Sequence, residues 1–321
     1  MSIGSLYSAG RSTPGPARPL PHTRAAVPLG LRLLAAALCG LVALALTGAA
    51  FVRTDSGQWL DGVLLPRAER GGGYEQQTVL VDPAKSVLAT FGDPTLIAVL
   101  LGVVLLVGVL RRRLVAGVVG VGTVVCAVLV AGAVKSALPR PDLQIESSTT
   151  HNSFPSGHVA AATALLLAFM LVLPGWARRC LAVPGAAGVS VIAAATMIAG
   201  WHRFSDVLGG VLLGVTLCCL AAAALAAWPG DHDADRDSDG DSLWPRLAEA
   251  GVGLVVLLWA LLVVVPGLAA SLQRATLVAI AATAASTMVL VGAVVFLMRS
   301  TDFAVPRSGR PRPASKTRKI S

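Results

Sequence analysis

The chain has 321 residues, of which 55% are hydrophobic and only 13% are charged, whereas soluble domains carry about 25% charged residues. This composition, with a mean hydropathy of +0.74, excludes an ordinary soluble globular protein, and the grouping of apolar residues into long blocks excludes a disordered chain. The net charge of +9 is compatible with nucleic-acid binding, so the positions of the basic residues matter.

Eight apolar blocks are long enough to cross a membrane, which takes about 20 mostly apolar residues. In chain order they are 31–52, 94–110, 114–134, 158–177, 180–200, 207–228, 247–267 and 275–298. We therefore predict an all-α fold, a polytopic membrane helix bundle of about eight transmembrane helices. A six-helix core over residues 30–228 is followed by two additional transmembrane helices within 247–298. The first block could be a signal peptide, but its length and the leader before it favour an uncleaved anchor.

Three polar segments separate or flank these blocks. The leader 1–29 is basic and rich in Pro, Gly and Ser, and we predict that it is disordered. The acidic linker 229–246 contains the start of a calcium-binding loop, but Arg246 occupies the position where such a loop needs a bidentate glutamate. A solvated linker is therefore favoured over a metal site. The tail 299–321 is basic, as expected for a segment beside anionic lipid headgroups.

The distribution of basic residues predicts the orientation, because Lys and Arg favour cytoplasmic loops. With the N-terminus inside, most of the 26 Lys and Arg residues lie on the cytoplasmic side, including those of the turns 111–113 and 178–179 and of the tail. We predict an integral plasma membrane protein whose N- and C-termini are cytoplasmic. The same distribution accounts for the net charge without a nucleic-acid partner.

Three polar clusters lie near the ends of apolar blocks, where ionisable residues are costly and usually functional. They are Lys135 with Arg140-Pro141, Pro155-Ser156-Gly157-His158, and His202 with Asp206. The length of chain from His158 to His202 fits two membrane crossings and a short turn. All three clusters are therefore predicted to meet at the extracytoplasmic face of the membrane.

Two of the clusters contain groups that bind phosphate. Lys135 and Arg140 are cations suited to a phosphate dianion. Ser156 and Gly157 precede a helix start, where free backbone N–H groups bind anions, and a glycine lets an oxyanion approach the backbone closely. These four residues are the candidate phosphate-binding residues.

The histidines supply groups for catalysis. His158 can donate a proton to a leaving oxygen. His202 and Asp206 are four residues apart, so in a helix they share a face and the carboxylate can orient the imidazole as a nucleophile. Together the clusters indicate phosphoryl transfer through a histidine, without a metal.

In their order and spacing, the three clusters resemble the motifs of the type 2 phosphatidic acid phosphatase superfamily, which are integral membrane lipid phosphatases with a six-helix core. The resemblance covers roughly residues 31–228, and the motifs span 135–206. It implies that His202 is the nucleophile that forms a phosphohistidine, that Asp206 supports it and that His158 is the general acid. It also implies that the Lys, Arg, Ser and Gly residues of the motifs bind the phosphate and that no cofactor is needed.

The chain departs from the family's pattern in two places. The spacing between Lys and Arg-Pro in the first motif is shorter here. The third motif normally has Ser-Arg where this chain has Ala195-Thr196, so the phosphate-binding arginine is absent. Arg203, beside the nucleophile, is the nearest replacement along the sequence, and a contact with lipid headgroups is its alternative role.

The resemblance implies a phosphatase that cleaves the phosphomonoester or pyrophosphate end of an outer-leaflet lipid. Candidate substrates are a polyprenyl diphosphate such as undecaprenyl diphosphate, phosphatidic acid and phosphatidylglycerol phosphate. A transferase that passes the phosphoryl group to an alcohol acceptor would use the same residues. A transporter or another non-catalytic membrane protein is the second alternative.

Overall fold

The structure, a computed structural model, describes residues 28–64, 80–145, 148, 151–227 and 274–298. These residues form helices and connecting segments, and no strand is present among them. The helices are α1 (Leu29–Arg53), α2 (Asp55–Leu64), α3 (Val81–Phe91), α4 (Pro94–Leu110), α5 (Leu114–Ala137), α6 (Gly157–Val172), α7 (Gly175–Ile198), α8 (Phe204–Ala227) and α9 (Arg274–Leu297). The predicted all-α fold class is confirmed for this part of the chain.

Five of the helices are long and apolar enough to cross a membrane, namely α1, α5, α7, α8 and most of α9. The pair α3 and α4 meets the same test jointly, although the two helices are bent by 52° at the break between them. The described residues therefore contain up to six spans of a polytopic helical membrane protein, the class that the sequence predicts. The predicted block 247–267, the leader up to residue 27, the linker and the tail lie outside the described residues.

The fourth predicted block differs from the structure at its C-terminal end. Instead of extending over 158–177, α6 has 16 residues and ends at Val172, and α7 begins at Gly175. The reason is Pro174, which has no backbone N–H and disfavours a helical conformation of the residue before it. Although α6 is shorter than a typical span, it is almost entirely buried and packs against α5, α7 and α8. Protein rather than lipid therefore surrounds it.

Two short helices between the first two predicted blocks were not predicted. They have 10 and 11 residues, so a search for blocks of span length does not find them. The first of them, α2, starts after Thr54, whose hydroxyl accepts a hydrogen bond from Gly57 N–H at 3.1 Å. A Cβ at Gly57 would overlap with Ala50 O of α1. This glycine therefore allows α2 to fold back closely against the end of α1.

The parallel helices α6 and α8 approach each other at glycines. A Cβ added to Gly210 would lie 2.7 Å from Ser156 O and 3.1 Å from Ala160 N, and one added to Gly214 would lie 2.7 Å from Thr163 Cβ. Small residues allow such close approach between membrane helices, which close packing holds together. The contact brings the N-terminal ends of both helices to one place.

Two buried arginines hold the opposite end of α6. The Nη1 atom of Arg113 donates to Val172 O at 2.9 Å and to Leu173 O at 2.7 Å. Arg178 donates from Nε to Leu173 O at 2.8 Å and from Nη1 to Met298 O at 3.0 Å. Carbonyl groups at helix C-terminal ends lack intrahelical partners and favour cations. Arg113 and Arg178, which belong to the basic turns 111–113 and 178–179, therefore join the C-terminal ends of α6 and α9.

We expect that Gly210→Ala destabilises the protein, because the added methyl group meets backbone atoms of α6 that cannot move aside without separating the two helices. Overpacking of this kind costs about 1–3 kcal/mol of the free energy of unfolding. The measurement is the midpoint of thermal unfolding of the purified protein in detergent.

The matched control is Gly122→Ala in α5, where an added Cβ meets no atom within 4 Å. It should leave the midpoint unchanged or raise it slightly, since alanine favours a helix more than glycine does. Equal midpoints for the two variants would contradict the role of Gly210 in packing α6 against α8.

Candidate active site

The three polar clusters lie at the same end of the bundle. Lys135 is in the last turn of α5, and His158 is in the first turn of α6. His202 lies in the connection between α7 and α8, and Asp206 is in the first turn of α8. Lys135 is close enough to interact electrostatically with both Asp206 and His158, and His158 interacts in the same way with His202. The predicted convergence of these four residues is thus present in the structure.

The turn before His202 is set by Gly200, which has a φ of 71°. The N–H groups of Trp201 and His202 both donate to Thr196 O, at 2.9 Å and 3.2 Å, and Gly200 N–H donates to Met197 O at 3.0 Å. This is the hydrogen-bond pattern of a Schellman motif, in which glycine adopts the left-handed conformation without a Cβ penalty. It fixes the backbone direction just before the candidate nucleophile.

Asp206 is completely buried, and its carboxylate lies beside the imidazole of His202. Its Oδ2 atom accepts hydrogen bonds from Ser153 Oγ at 2.6 Å and from Arg203 N–H at 2.8 Å. The Nδ1 atom of His202 lies 3.5 Å from the same oxygen. That distance is longer than a hydrogen bond, but catalytic hydrogen bonds are often long before a substrate binds. The pair can therefore tighten into a hydrogen bond with a small rotation of the ring.

Arg203 is buried beside this pair, with 3% of its surface exposed. Its Nη1 atom donates to Ser153 Oγ at 3.0 Å, and Ser153 in turn donates to Asp206. Thr196, at the position where the family's third motif has arginine, is also buried, and its hydroxyl donates to Ala193 O of its own helix at 2.7 Å. A guanidinium group is thus present next to Asp206, but it comes from the residue after His202.

The start of α6 is tied to the start of α8 and leaves an open space beside it. Ser156 N–H donates to Asp206 O at 2.8 Å, and Ser156 Oγ caps α6 by accepting from Val159 N–H at 3.5 Å. The N–H groups of Gly157 and His158 precede the first intrahelical hydrogen bond of α6. A Cβ added to Gly157 would meet no atom within 4 Å. The first residue of α6 therefore borders an open space, at the helix end where anions bind.

His158 is half-buried and has two close neighbours. The ring centroids of His158 and Trp201 are 5.8 Å apart, and Trp201 is 45% exposed. On another side, a Cβ added to Gly92, at the end of α3, would lie 3.7 Å from His158 Nε2. The bend between α3 and α4 is thus placed next to the candidate general acid.

All eight predicted site residues lie within one stretch of the chain that matches a known family. Residues 135–229 match the family model of the PAP2 superfamily. The resemblance to the type 2 phosphatidic acid phosphatase superfamily is thereby confirmed for this stretch, which we call the PAP2 segment. The match indicates a phosphatase that acts on phosphoesters, and the apolar helices indicate that it does so in a membrane. No curated protein and no solved structure gives a significant match to the chain.

An apolar groove begins near the site and extends along the PAP2 segment. It has a volume of about 300 Å³ and lies between α6 and α7. Phe91, the residue before Gly92, borders it, as do Ile192 of α7 near the site and Phe169 of α6 farther away. The groove therefore runs from the neighbourhood of His158 along the direction of the spans.

Four polar residues that the sequence did not predict join α2 to the PAP2 segment. Gln58 Oε1 accepts from Ser148 Oγ at 2.6 Å, and Arg140 donates to the same Ser148 oxygen from Nε at 3.3 Å and from Nη2 at 3.2 Å. Asp61 accepts from Ser205 N–H at 3.1 Å and from Ser205 Oγ at 2.5 Å. The signal in the sequence is the spacing of Gln58 and Asp61, since residues three apart share one helix face.

Asp61 carries a proton at neutral pH more readily than an exposed aspartate does. Burial, together with the negative charge of Asp206, raises the pKa of Asp61 from 3.8 to about 7, although the Ser205 hydrogen bonds and the Arg203 charge oppose the shift. The folded chain thus binds this proton more tightly than the unfolded chain. The contribution of Asp61 to stability is full below pH 3.8, decreases as the pH rises toward 7 and is lost above that.

We expect that Asp61→Asn weakens the pH dependence of stability, because asparagine does not titrate. Each pKa unit of difference between the folded and unfolded states corresponds to about 1.4 kcal/mol. Between about pH 5 and about pH 8, the thermal midpoint of the variant should therefore decrease less than that of the wild type. Parallel curves for the two proteins would contradict the raised pKa of Asp61.

Proposed function

We propose that the protein is a membrane lipid phosphatase that hydrolyses a phosphomonoester or pyrophosphate of an outer-leaflet lipid through a phosphohistidine intermediate. The observation that carries the proposal is the placement of His202 against the buried carboxylate of Asp206, next to the open N-terminal end of α6. The PAP2 match supports the phosphatase class. The groove between α6 and α7 supports a substrate with an apolar chain.

The phosphate is bound at the open end of α6. The N–H groups of Gly157 and His158 point along the helix axis toward the anion, whose negative charge the helix dipole also favours. Lys135 and Arg140 supply positive charge. Ser156, for which we also predicted phosphate binding, already donates its N–H to Asp206 O, and we assign to it the holding of the helix start.

In the first step, His202 attacks the phosphorus atom. With the proton of the neutral ring on Nδ1, facing Asp206, the Nε2 lone pair forms the new N–P bond. The bond between phosphorus and the leaving oxygen breaks, and protonated His158 transfers its proton to that oxygen. The lipid alcohol, or the lipid monophosphate from a diphosphate, leaves. Asp206 stabilises the positive charge that develops on the imidazole ring.

In the second step, water releases the phosphate. His158, now neutral, accepts a proton from the water molecule as the water oxygen attacks phosphorus and the N–P bond breaks. The electron pair of that bond returns to Nε2 of His202, and inorganic phosphate dissociates. An alcohol in place of water would give phosphotransfer, so the products distinguish a hydrolase from a transferase.

Arg203 supplies part of the charge that the absent motif arginine would provide. Its guanidinium is beside Ser153 and Asp206, so it stabilises the carboxylate that orients His202. Because it is held at the inner side of the His202–Asp206 pair, its main effect is on the chemical step rather than on substrate affinity.

The substrate is a lipid because the groove continues from the site into the apolar part of the bundle. Its lining is almost entirely apolar, with residues such as Phe91, Phe169 and Ile192. An acyl or prenyl chain in this groove would keep the phosphate end near His158 and His202. Burial of apolar surface would contribute about 25 cal/mol per Å² to binding.

The active site is extracytoplasmic in the proposed orientation. It lies at the end of α6 opposite to Arg113 and Arg178, which belong to the basic turns assigned to the cytoplasm by the charge distribution. Both chain termini are then cytoplasmic, and the protein resides in the plasma membrane.

We expect that the purified protein releases inorganic phosphate from a panel of lipid phosphates in detergent with a chelator present. His202→Ala should lower the rate by about 10³-fold or more, because it removes the nucleophile. Acid-labile phosphoprotein should form from labelled substrate in the wild type and not in this variant. The matched control is His151→Ala, an exposed histidine of the loop outside the motifs, which should keep full activity. Undiminished release from His202→Ala would overturn the mechanism.

Gly157→Ala tests phosphate binding at the end of α6. Because an added Cβ meets no protein atom there, the variant should fold normally, and its thermal midpoint should not fall. The methyl group would occupy the space of the anion, so KM should rise by about tenfold, equal to about 1.4 kcal/mol. Gly132→Ala, which is equally open but lies within α5, is the control. An unchanged KM in Gly157→Ala would place the phosphate elsewhere.

The orientation is tested with single cysteines in a background without the five native ones. Ser136→Cys lies at the end of α5 beside the site, and Trp176→Cys lies at the start of α7, at the other end of the bundle. Both native residues are exposed. An impermeant thiol reagent should label the first cysteine on intact cells and the second only after permeabilisation. The opposite pattern would reverse the topology.

A further inference from the structure

The helix α2 lies outside the PAP2 segment, yet it buries two polar side chains against it. Gln58 is 1% exposed and Asp61 is 0% exposed. The remaining face of α2 carries exposed apolar residues such as Trp59 and Val63. Burial of an amide and a carboxyl group costs free energy unless hydrogen bonds compensate for it. Apolar residues of similar size would be sufficient for packing. The hydrogen-bond partners of Gln58 and Asp61 therefore indicate what these two side chains do.

Gln58 connects α2 to Arg140, and we call this link the phosphate-binding arm of the site. Its Nε2 atom donates to Val52 O at 2.9 Å and to Pro141 O at 3.1 Å, which anchors it to the end of α1 and to the residue after Arg140. Its Oε1 atom accepts the proton of Ser148 Oγ at 2.6 Å. The lone pairs of Ser148 Oγ are thereby directed to the Arg140 guanidinium. Gln58 thus fixes both the backbone and the side chain of Arg140.

Asp61 connects α2 to Ser205 at the start of α8, and we call this link the nucleophile arm of the site. Its two carboxyl oxygens accept from Ser205 N–H and from the Ser205 hydroxyl. Ser205 is the residue before Asp206, in the first turn of α8. The N–H groups of a first helical turn have no intrahelical acceptor, so Asp61 satisfies a group that would otherwise be unpaired at the base of the site.

We propose that α2 is a positioning element of the active site, in which Gln58 and Asp61 set the placement of Arg140 relative to the His202–Asp206 pair. The two side chains are three residues apart, which corresponds to about 4.5 Å along the helix axis. Hydrogen bonds link Arg140 through Ser148 to Gln58, and others link Asp61 to Ser205. One turn of α2 joins the two links. This inference rests on the proposed function, because it assigns α2 to a phosphate site.

The two links predict different kinetic effects. Arg140 binds the phosphate of the bound substrate, so loss of the Gln58 link should mainly raise KM. The first turn of α8 holds Asp206, which lies beside His202, so loss of the Asp61 link should mainly lower kcat. A helix that only contributed stability would leave KM unchanged and would lower the apparent kcat in proportion to the amount of folded protein, so kcat is expressed per folded enzyme, as determined from thermal unfolding.

The first experiment is a set of double-mutant cycles on the detergent-purified protein. Gln58→Met should raise KM by about tenfold, or about 1.4 kcal/mol, and should add nothing in an Arg140→Ala background, since the effect acts through Arg140. Ser148→Ala cuts the same link without altering α2 and should reproduce the effect. Full additivity of Gln58→Met with Arg140→Ala would overturn the proposal for this arm.

The second arm is tested with Asp61→Leu and Ser205→Ala. Each should lower kcat by about tenfold with little change in KM, and the two together should lower it no further than one alone. Asp61→Asn retains a carbonyl acceptor for Ser205 N–H and should recover most of the rate. The matched control is Val63→Ala, an exposed position of the same helix, which should change neither constant. A uniform loss in every α2 variant, including Val63→Ala, would show a structural role only.

A binding measurement separates this inference from the proposed function. Inorganic phosphate should raise the thermal midpoint of the wild type, since a ligand that binds the folded state stabilises it, and Arg140→Ala and Gln58→Met should each lose most of that shift. A full shift in Gln58→Met, with loss in Arg140→Ala, would overturn the role of α2 and leave the phosphatase intact. A normal set of shifts without turnover of any lipid phosphate would overturn the proposed function alone. No shift in the wild type would overturn both.

Discussion

A buried carboxylate needs hydrogen-bond donors from its surroundings. The donors to Asp206 Oδ2 come from separate parts of the chain, whereas Oδ1 has no partner among the described residues. Ser153 of the loop before α6 and the N–H of Arg203 bind its Oδ2 atom, and His202 lies beside the same oxygen. Its backbone carbonyl accepts from Ser156 at the start of α6. The demand of one charge for hydrogen bonds thus assembles the loop, the turn and two helix ends around the candidate nucleophile.

This arrangement requires that α6 and α8 approach each other more closely than side chains normally allow. The glycines of α8 provide the space, and Ser156 and Thr163 of α6 fill it. Lipid gives little hydrophobic driving force between helices, so contact of this kind is itself a source of stability. The arginines at the other end of α6 complete its placement. The helix that presents its N-terminal end to the site is therefore held at both ends by polar contacts and along its length by packing.

The PAP2 segment contains the predicted catalytic groups, but residues outside this segment also contribute to the site. α2 and the end of α3 both come from the part of the chain before residue 135, yet Gln58 and Asp61 contact the segment directly and Gly92 lies beside His158. The apolar groove likewise combines Phe91 of α3 with α6 and α7. The helices that precede the segment thereby shape both the polar and the apolar side of the site.

The sequence by itself determined the membrane class, the positions of most spans and the candidate residues for the chemistry, because apolar block length and motif spacing are properties of short stretches of chain. It also predicted that Lys135, His158 and His202 would converge, since the number of crossings between them decides which face each occupies. The early end of α6 before Pro174 follows from a local rule as well, but the continuous apolar character of the block concealed it.

Only the tertiary structure decided how these residues are held. The partners of Ser153, Ser148 and Asp61 lie 53, 90 and 144 residues away along the chain. Hydrogen bonds between such distant segments depend on how the helices pack, and they leave no periodic pattern in the sequence. The same applies to Arg203, whose position after His202 was evident but whose contact with Ser153 depends on the folded loop. The sequence thus specified the candidate reacting groups, and the packing of the helices specified their geometry.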